Sequence, residues 1–347
     1  MKATLLAIII VLLIIPSQVF ANGCIVVRPT SQPSVGLDDR HESKAGSYDT
    51  TVAYRYLFSD RHFRGSHEEK NRQAEGTQIE NTINTIDYTF SYWYTDQWRF
   101  SASIPYTTAK RTSARDRAAN SAMRSEGIGD LRVMAYREFL SSTDETPSGM
   151  TLGIGLKLPT GRHDFRDISY RPSGPEWRYN DQSIQLGDGG TGLITEFQAY
   201  RQFFNEHNYG FVTASYLINP EDTNGTPTHR SNPFEQVQSI PDTYQARFGW
   251  THVFSSGHWS FDSAIRGEGV PVEDLIGDSN GFRRPGYAIY FEPSLNFRKG
   301  AHRGALSIPY ALERNRLVSV ADRKTGGHGD AAFADYLIMA SYSYSWQ

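Results

Sequence analysis

Apolar and polar residues alternate with a period of two along most of this chain. Tyr48, Thr50, Val52, Tyr54, Tyr56 and Phe58 take turns with Asp49, Thr51, Ala53 and Arg55, the pattern of a strand with one apolar and one polar face. The period returns in Ile86, Tyr88, Phe90, Tyr92 and Tyr94. After Thr95-Asp96-Gln97 it resumes in Trp98, Phe100, Ala102, Ile104 and Tyr106, so these two runs form a hairpin. Twelve strands are predicted in this way, near 48–58, 82–94, 98–110, 128–139, 149–159, 191–204, 208–218, 242–254, 258–269, 286–298, 303–312 and 333–346. Their lengths lie close to the roughly 9–11 residues of a tilted membrane-crossing strand.

The connections sort by length. Short turns at 95–97, 140–148, 205–207, 255–257 and 299–302 interleave with long polar loops at 59–81, 111–127, 160–190, 219–241, 270–285 and 313–332. A soluble sandwich has no reason to alternate its loops so strictly. A membrane barrel does, with short turns in the periplasm and long loops outside.

The faces agree. In the last strand Tyr336, Ile338, Ala340, Tyr342, Tyr344 and Trp346 share one face, opposite Asp335, Ser341, Ser343 and Ser345, with Leu337 and Met339 as exceptions. So many bulky faces exceed what the inside of a twelve-strand barrel can hold, so they face lipid and the polar faces line a lumen. Aromatics beside the short turns, among them Tyr92, Trp93, Tyr94, Trp98, Trp250, Phe254 and Trp259, suit a girdle at the periplasmic headgroups. The expected fold class is all-β, a single transmembrane antiparallel β-barrel, in the cell outer membrane. Its expected partners are outer-membrane lipids, the barrel-insertion machinery that reads a C-terminal aromatic such as Trp346, and a small-molecule solute of unknown identity.

The N-terminus supports export. Lys2, the apolar run from Ala3 to Ile15 and the Val19-Phe20-Ala21 stretch read as a signal peptide cleaved after Ala21, the run being too short to span as a helix. The expected organisation is therefore a signal peptide at 1–21, a periplasmic segment at 22–47 and the barrel at 48–347. Cys24 is the lone cysteine, which excludes an intramolecular disulfide and leaves a free thiol or a lipidated residue open. A formal charge of -3 does not suggest nucleic acid as a partner.

Three segments carry a family resemblance: Gly127-Ile128-Gly129-Asp130-Leu131-Arg132, Gly155-Leu156-Lys157-Leu158-Pro159-Thr160-Gly161 and Gly187-Asp188-Gly189-Gly190-Thr191-Gly192. Together they resemble the outer-membrane proteins of the phenol-degradation MetA-pathway, or transporter, family. That resemblance implies a barrel and, for some members, uptake of aromatic compounds; it carries over no catalytic residues.

The face assigned to the lumen holds Arg55, Asp87, Arg99, Asp130, Arg132, Glu138, Lys157, Glu196, Arg247, Asp262, Arg266, Glu268, Glu292 and Arg298. With water between them these charges line a passage for small solutes; paired across a narrow bore they plug it, giving a structural or adhesion barrel. Asp222-Thr223-Asn224-Gly225 and Asp278-Ser279-Asn280-Gly281 echo the start of a calcium loop but lack its later carboxylate, and read as Asx turns. His62, His67, His163, His229 and His328 lie in outward loops without a zinc spacing, so solvated histidines are expected. A lipid hydrolase needs a serine beside a wall histidine. His252 has none two residues away, so no enzyme activity, cofactor or metal is expected.

Overall fold

The structure, a computed structural model, describes residues 45–140 and 147–346. The expected signal peptide, Cys24, the expected periplasmic segment up to residue 44, residues 141–146 and Gln347 lie outside the described residues. Twelve strands close into one antiparallel barrel: β1 (Tyr48–Arg64), β2 (Glu80–Trp93), β3 (Trp98–Thr112), β4 (Met123–Ile128 and Leu131–Leu140), β5 (Ser148–Leu158), β6 (Gly192–Gln202), β7 (Asn208–Ile218), β8 (Thr243–Val253), β9 (Trp259–Val270), β10 (Gly286–Lys299), β11 (His302–Ser307 and Tyr310–Arg316) and β12 (Ala331–Trp346). Each strand pairs with its sequence neighbours, and β1 meets β12 from Tyr48↔Trp346 to Phe63↔Ala331 to shut the cylinder.

Three strands run further than the alternation predicts. In β1 the register against β12 shifts at Leu57/Ser59 and again at Ser59/Arg61, so the period-two signal stops near Phe58 while the strand continues to Arg64. The break at Gly129-Asp130 hides the outer half of β4. In β11 Pro309 has no N–H to give, and the outer half keeps only one paired residue with β12, Tyr310↔Tyr336. Arg314 repairs that seam with its side chain, whose Nε donates to the Ala334 carbonyl at 3.0 Å.

Polarity is inverted relative to a soluble protein. Val52, Ile86, Tyr88, Ile104, Ile154, Phe248, Ile265 and Tyr342 are exposed around the wall, while Arg55, Asp87, Arg247, Arg266 and Glu292 are buried within. That arrangement is stable only where lipid covers the outside. At the short-turn end Tyr48 packs on Tyr92 and Tyr344 on Trp346, with ring centroids 5.0 and 4.6 Å apart. Trp93 departs from the expected girdle: its indole turns inward and donates to Asp49 at 2.9 Å.

The inner face is less polar than the sequence suggests. Tyr200, Tyr209, Phe211 and Val253 form one buried cluster and Phe63, Tyr290, Phe333 and Leu337 belong to another. Glycines make room for some of these rings. Tyr136 stands opposite Gly153 and Tyr200 opposite Gly149, and a Cβ on either glycine would lie 2.7 or 2.3 Å from the ring.

Candidate functional site: the barrel lumen

Five of the fourteen candidate charges meet in one buried row across the lumen. Arg55 Nη2 reaches Glu268 Oε1 at 3.0 Å; Glu268 Oε2 accepts from Arg266 at 3.0 Å; Arg266 Nη1 reaches Glu292 Oε2 at 3.4 Å; and Arg247 Nη2 closes the row on Glu292 Oε1 at 2.8 Å. Gln245 adds its Oε1 to Arg266 at 2.8 Å. Such alternation keeps buried charges from standing alone, the condition under which a low-dielectric interior tolerates them. The strands supply it by parity, since odd positions of β8 and of β1 before its register shifts, and even positions of β9 and β10, point inward.

The other candidates fall into separate tiers. Asp262 is buried and accepts from Thr251 at 2.8 Å. Asp87 is buried beside the row. Towards the short turns the guanidinium of Arg99 sits 4.2 Å from the ring of Tyr136, whose hydroxyl donates to Glu196 at 2.9 Å. Glu138 and Arg298 are half-buried at the same end. Towards the long loops Lys157 is ion-paired with Asp188, and Arg132 is buried below them. Asp130 is structural: its carboxylate accepts from the Gly161 N–H at 2.9 Å and from the Asp188 N–H at 3.3 Å. The three glycine-rich segments of the family resemblance thus converge on one carboxylate.

The long loops close over this lumen. A single turn of 3₁₀ helix at Gln182–Ile184 enters the mouth, with Ile184 fully buried against Ile83, Ala109 and Met123. Asp181 anchors it, bonded to Arg284 at 2.8 and 2.7 Å and facing Arg111 at 3.5 Å. Burial pushes the Asp181 carboxyl up, but Arg111 and Arg284 outweigh burial and hold it well below the usual carboxylate range. Arg283 and Asp274 form a second, fully buried pair. The two calcium-like turns grip each other, since Asp222 accepts from the Asn280 N–H at 2.7 Å and from its side-chain amide at 3.1 Å. His62 is not the solvated loop residue expected. It is buried on the extension of β1, with Nδ1 2.8 Å from Asp330, because that strand continues past its predicted end. On the outer wall His252 pairs with Asn208 at 3.1 Å.

Among the described residues, two cavities lie within the barrel. The outer one, about 100 Å³, lies under the mouth between Ile83, Ala109, Arg132, Lys157, Ile194 and Leu217; the inner one, about 70 Å³, is bounded by Asp87, Arg247, Asp262, Arg266, Glu292 and Asn296. Gln245 lines both. Each is smaller than a ligand pocket of roughly 300 Å³.

No protein-family model and no curated protein matches the sequence. Solved structures do match. An outer-membrane channel from Pseudomonas putida F1 superposes with a TM-score of 0.58 at 12% identity, covering 92% of this chain and 100% of the other. The β domain of the Bordetella autotransporter BrkA gives 0.47 at 13% identity over 87% and 100%. The Pseudomonas putida toluene transporter TodX gives 0.38 at 10% identity over 86% and 89%. The first of these shows that the barrel is a known outer-membrane fold.

Proposed function

We propose that this chain is a narrow outer-membrane channel for small solutes, aromatic or hydrophobic ones among them, closed by its loops and its charged row in the conformation described. The observation that carries this reading is the pair of cavities within the barrel, the inner one bounded by the row and both lined by Gln245. A barrel selected only for rigidity gains nothing from buried ion pairs that apolar packing could replace. The apolar wall of the outer cavity at Ile83, Ala109, Ile194 and Leu217 suits a solute with a ring. The resemblance to the MetA-pathway family points the same way. Export through a signal peptide at 1–21, insertion by the barrel machinery and a non-enzymatic role belong to the same reading.

The test is single-channel recording in a planar bilayer. The wild type should give small discrete steps, and Arg266→Ala, which opens the row, larger ones. A folded barrel silent in both forms would move the weight to a structural or adhesion role, which the filled lumen also suits.

A further inference from the structure

The outer wall carries a groove of about 450 Å³ that runs along β4. Its floor is Val133 and Ala135; the register sets Ala135 between Phe100 of β3 and Ile154 of β5, and Val133 between Ala102 and Leu156. Phe100, Ile154 and Leu156 are exposed, while Val133 and Ala135, on the same outward face, are half-buried between them. Two residues nearer the short turns, still on that face, stands Arg137, exposed and flanked by Trp98 and Leu152. Its guanidinium lies 5.4 Å from the ring of Trp98 and 5.1 Å from that of Phe139. Among the described residues no carboxylate forms an ion pair with it.

An arginine on the lipid-facing side of a barrel is costly at the middle of the bilayer and tolerated near its surface, where the anion within reach is a lipid phosphate. We propose that this groove holds one phospholipid of the periplasmic leaflet, an acyl chain lying on Val133 and Ala135 and the phosphate meeting Arg137. The trough continues the wall that lipid already covers, and its one charged end has the sign that complements a phosphate. A guanidinium can hold two phosphate oxygens at once, and the two rings beside Arg137 limit where it can swing. Inside a bilayer every lipid offers apolar chains, so the groove alone selects nothing; close packing retains a chain and Arg137 selects the headgroup. An anionic headgroup such as phosphatidylglycerol is therefore preferred over a zwitterionic one by about five-fold, the factor for one arginine near an anionic surface. The site stands whether or not the lumen conducts.

The experiment titrates the full-length barrel in detergent with dipalmitoyl phosphatidylglycerol and counts bound lipids by native mass spectrometry. Three variants are compared with the wild type, each first shown to be folded on an unheated gel. Arg137→Gln removes the charge; Ala135→Phe fills the groove and leaves Arg137 in place; Arg201→Gln removes another exposed arginine, on β6 opposite Ser148 and outside the groove. The wild type should retain one lipid at the lowest concentrations, Arg137→Gln should bind it about five-fold more weakly, Ala135→Phe should lose it, and Arg201→Gln should keep it. Phosphatidylethanolamine should bind the wild type about as weakly as phosphatidylglycerol binds Arg137→Gln. A broad series of adducts that neither groove variant changes is the behaviour of lipid held by the whole belt and would overturn the site. Equal losses in Arg137→Gln and Arg201→Gln would overturn it too, by showing attraction to overall charge. Lipid-free dimers that Ala135→Phe disrupts would give the groove to a second copy of the chain instead.

Discussion

Asp181 and Arg284, 103 positions apart in sequence, meet as a two-point ion pair across the mouth of the barrel. One end is fixed to the turn that carries Ile184 into the lumen; the other sits just before β10. The pair therefore fastens loop 159–191 to the opposite wall. Asp181→Asn leaves Arg111 and Arg284 facing a neutral partner and should remove roughly 3–5 kcal/mol of local stabilisation. Trypsin should then cut faster at Arg162, Arg166, Arg171 and Arg178, while the barrel keeps its resistance to unfolding on an unheated gel. Unchanged cleavage would show that the ion pair does not hold the loop.

A second fastening responds to acid. Burial pushes the Asp330 carboxyl up, but the hydrogen bond from His62, the charge of His62 and that of Arg72 bring it down to about 2. The unfolded chain, with a carboxyl near 3.9, takes up its proton first, so stability rises with pH across this interval. The contribution is complete above about pH 4 and is lost as pH falls towards about 2. Pepsin should cleave loop 65–79 faster at the bottom of that window than at the top, in excess of its own pH profile on an unfolded substrate. Asp330→Asn should remove the excess; its persistence in the variant would assign it to another group.

Much of this barrel was legible because a bilayer enforces a simple code. Tyr336, Ile338, Tyr342 and Trp346 face lipid and Ser341, Ser343 and Ser345 do not, so parity alone placed β12, and it put Arg55, Glu268 and Glu292 on the inner face. Parity says nothing of partners. Arg55 and Glu268 lie 213 positions apart, and only closure of the cylinder brings them together. The code also fails where both faces are apolar. In β7, Tyr209, Phe211 and Leu217 point inward while Val212, Tyr216 and Ile218 point out, so no alternation marks the inner residues. For the loop that plugs the mouth, the available signal was Ile184 and Leu186, two apolar residues with Gln185 between them in an otherwise polar stretch.

Gly153 tests the packing of the inner wall. The ring of Tyr136 lies across it, and a Cβ there would be 2.7 Å from two ring carbons and 3.2 Å from the Glu196 Cβ. Gly153→Ala must displace the ring and with it the Tyr136–Glu196 hydrogen bond, at a cost of about 1–3 kcal/mol. The midpoint of urea unfolding should fall accordingly, and Gly153→Ala combined with Tyr136→Phe should lose less than the sum of the two single changes. Strict additivity would show that the ring and the glycine are not coupled.

The membrane assignment itself can be tested with two substitutions of one kind. Ile154 is 56% exposed at the middle of β5, opposite Ala135 and Thr195, where an outward side chain meets the centre of the bilayer. Trp177 is 70% exposed on the second arm of the loop hairpin Arg166–Arg171/Gly174–Tyr179, beyond the membrane. Judged by exposure alone, arginine should be tolerated at both sites. With lipid outside the barrel, Ile154→Arg should cost about 2–4 kcal/mol and Trp177→Arg close to nothing. Reversible unfolding from phospholipid vesicles measures both on one scale. A difference that disappears in small detergent micelles but stands in the vesicles would tie it to bilayer depth, whereas equal costs in the vesicles would mean that β5 does not face lipid.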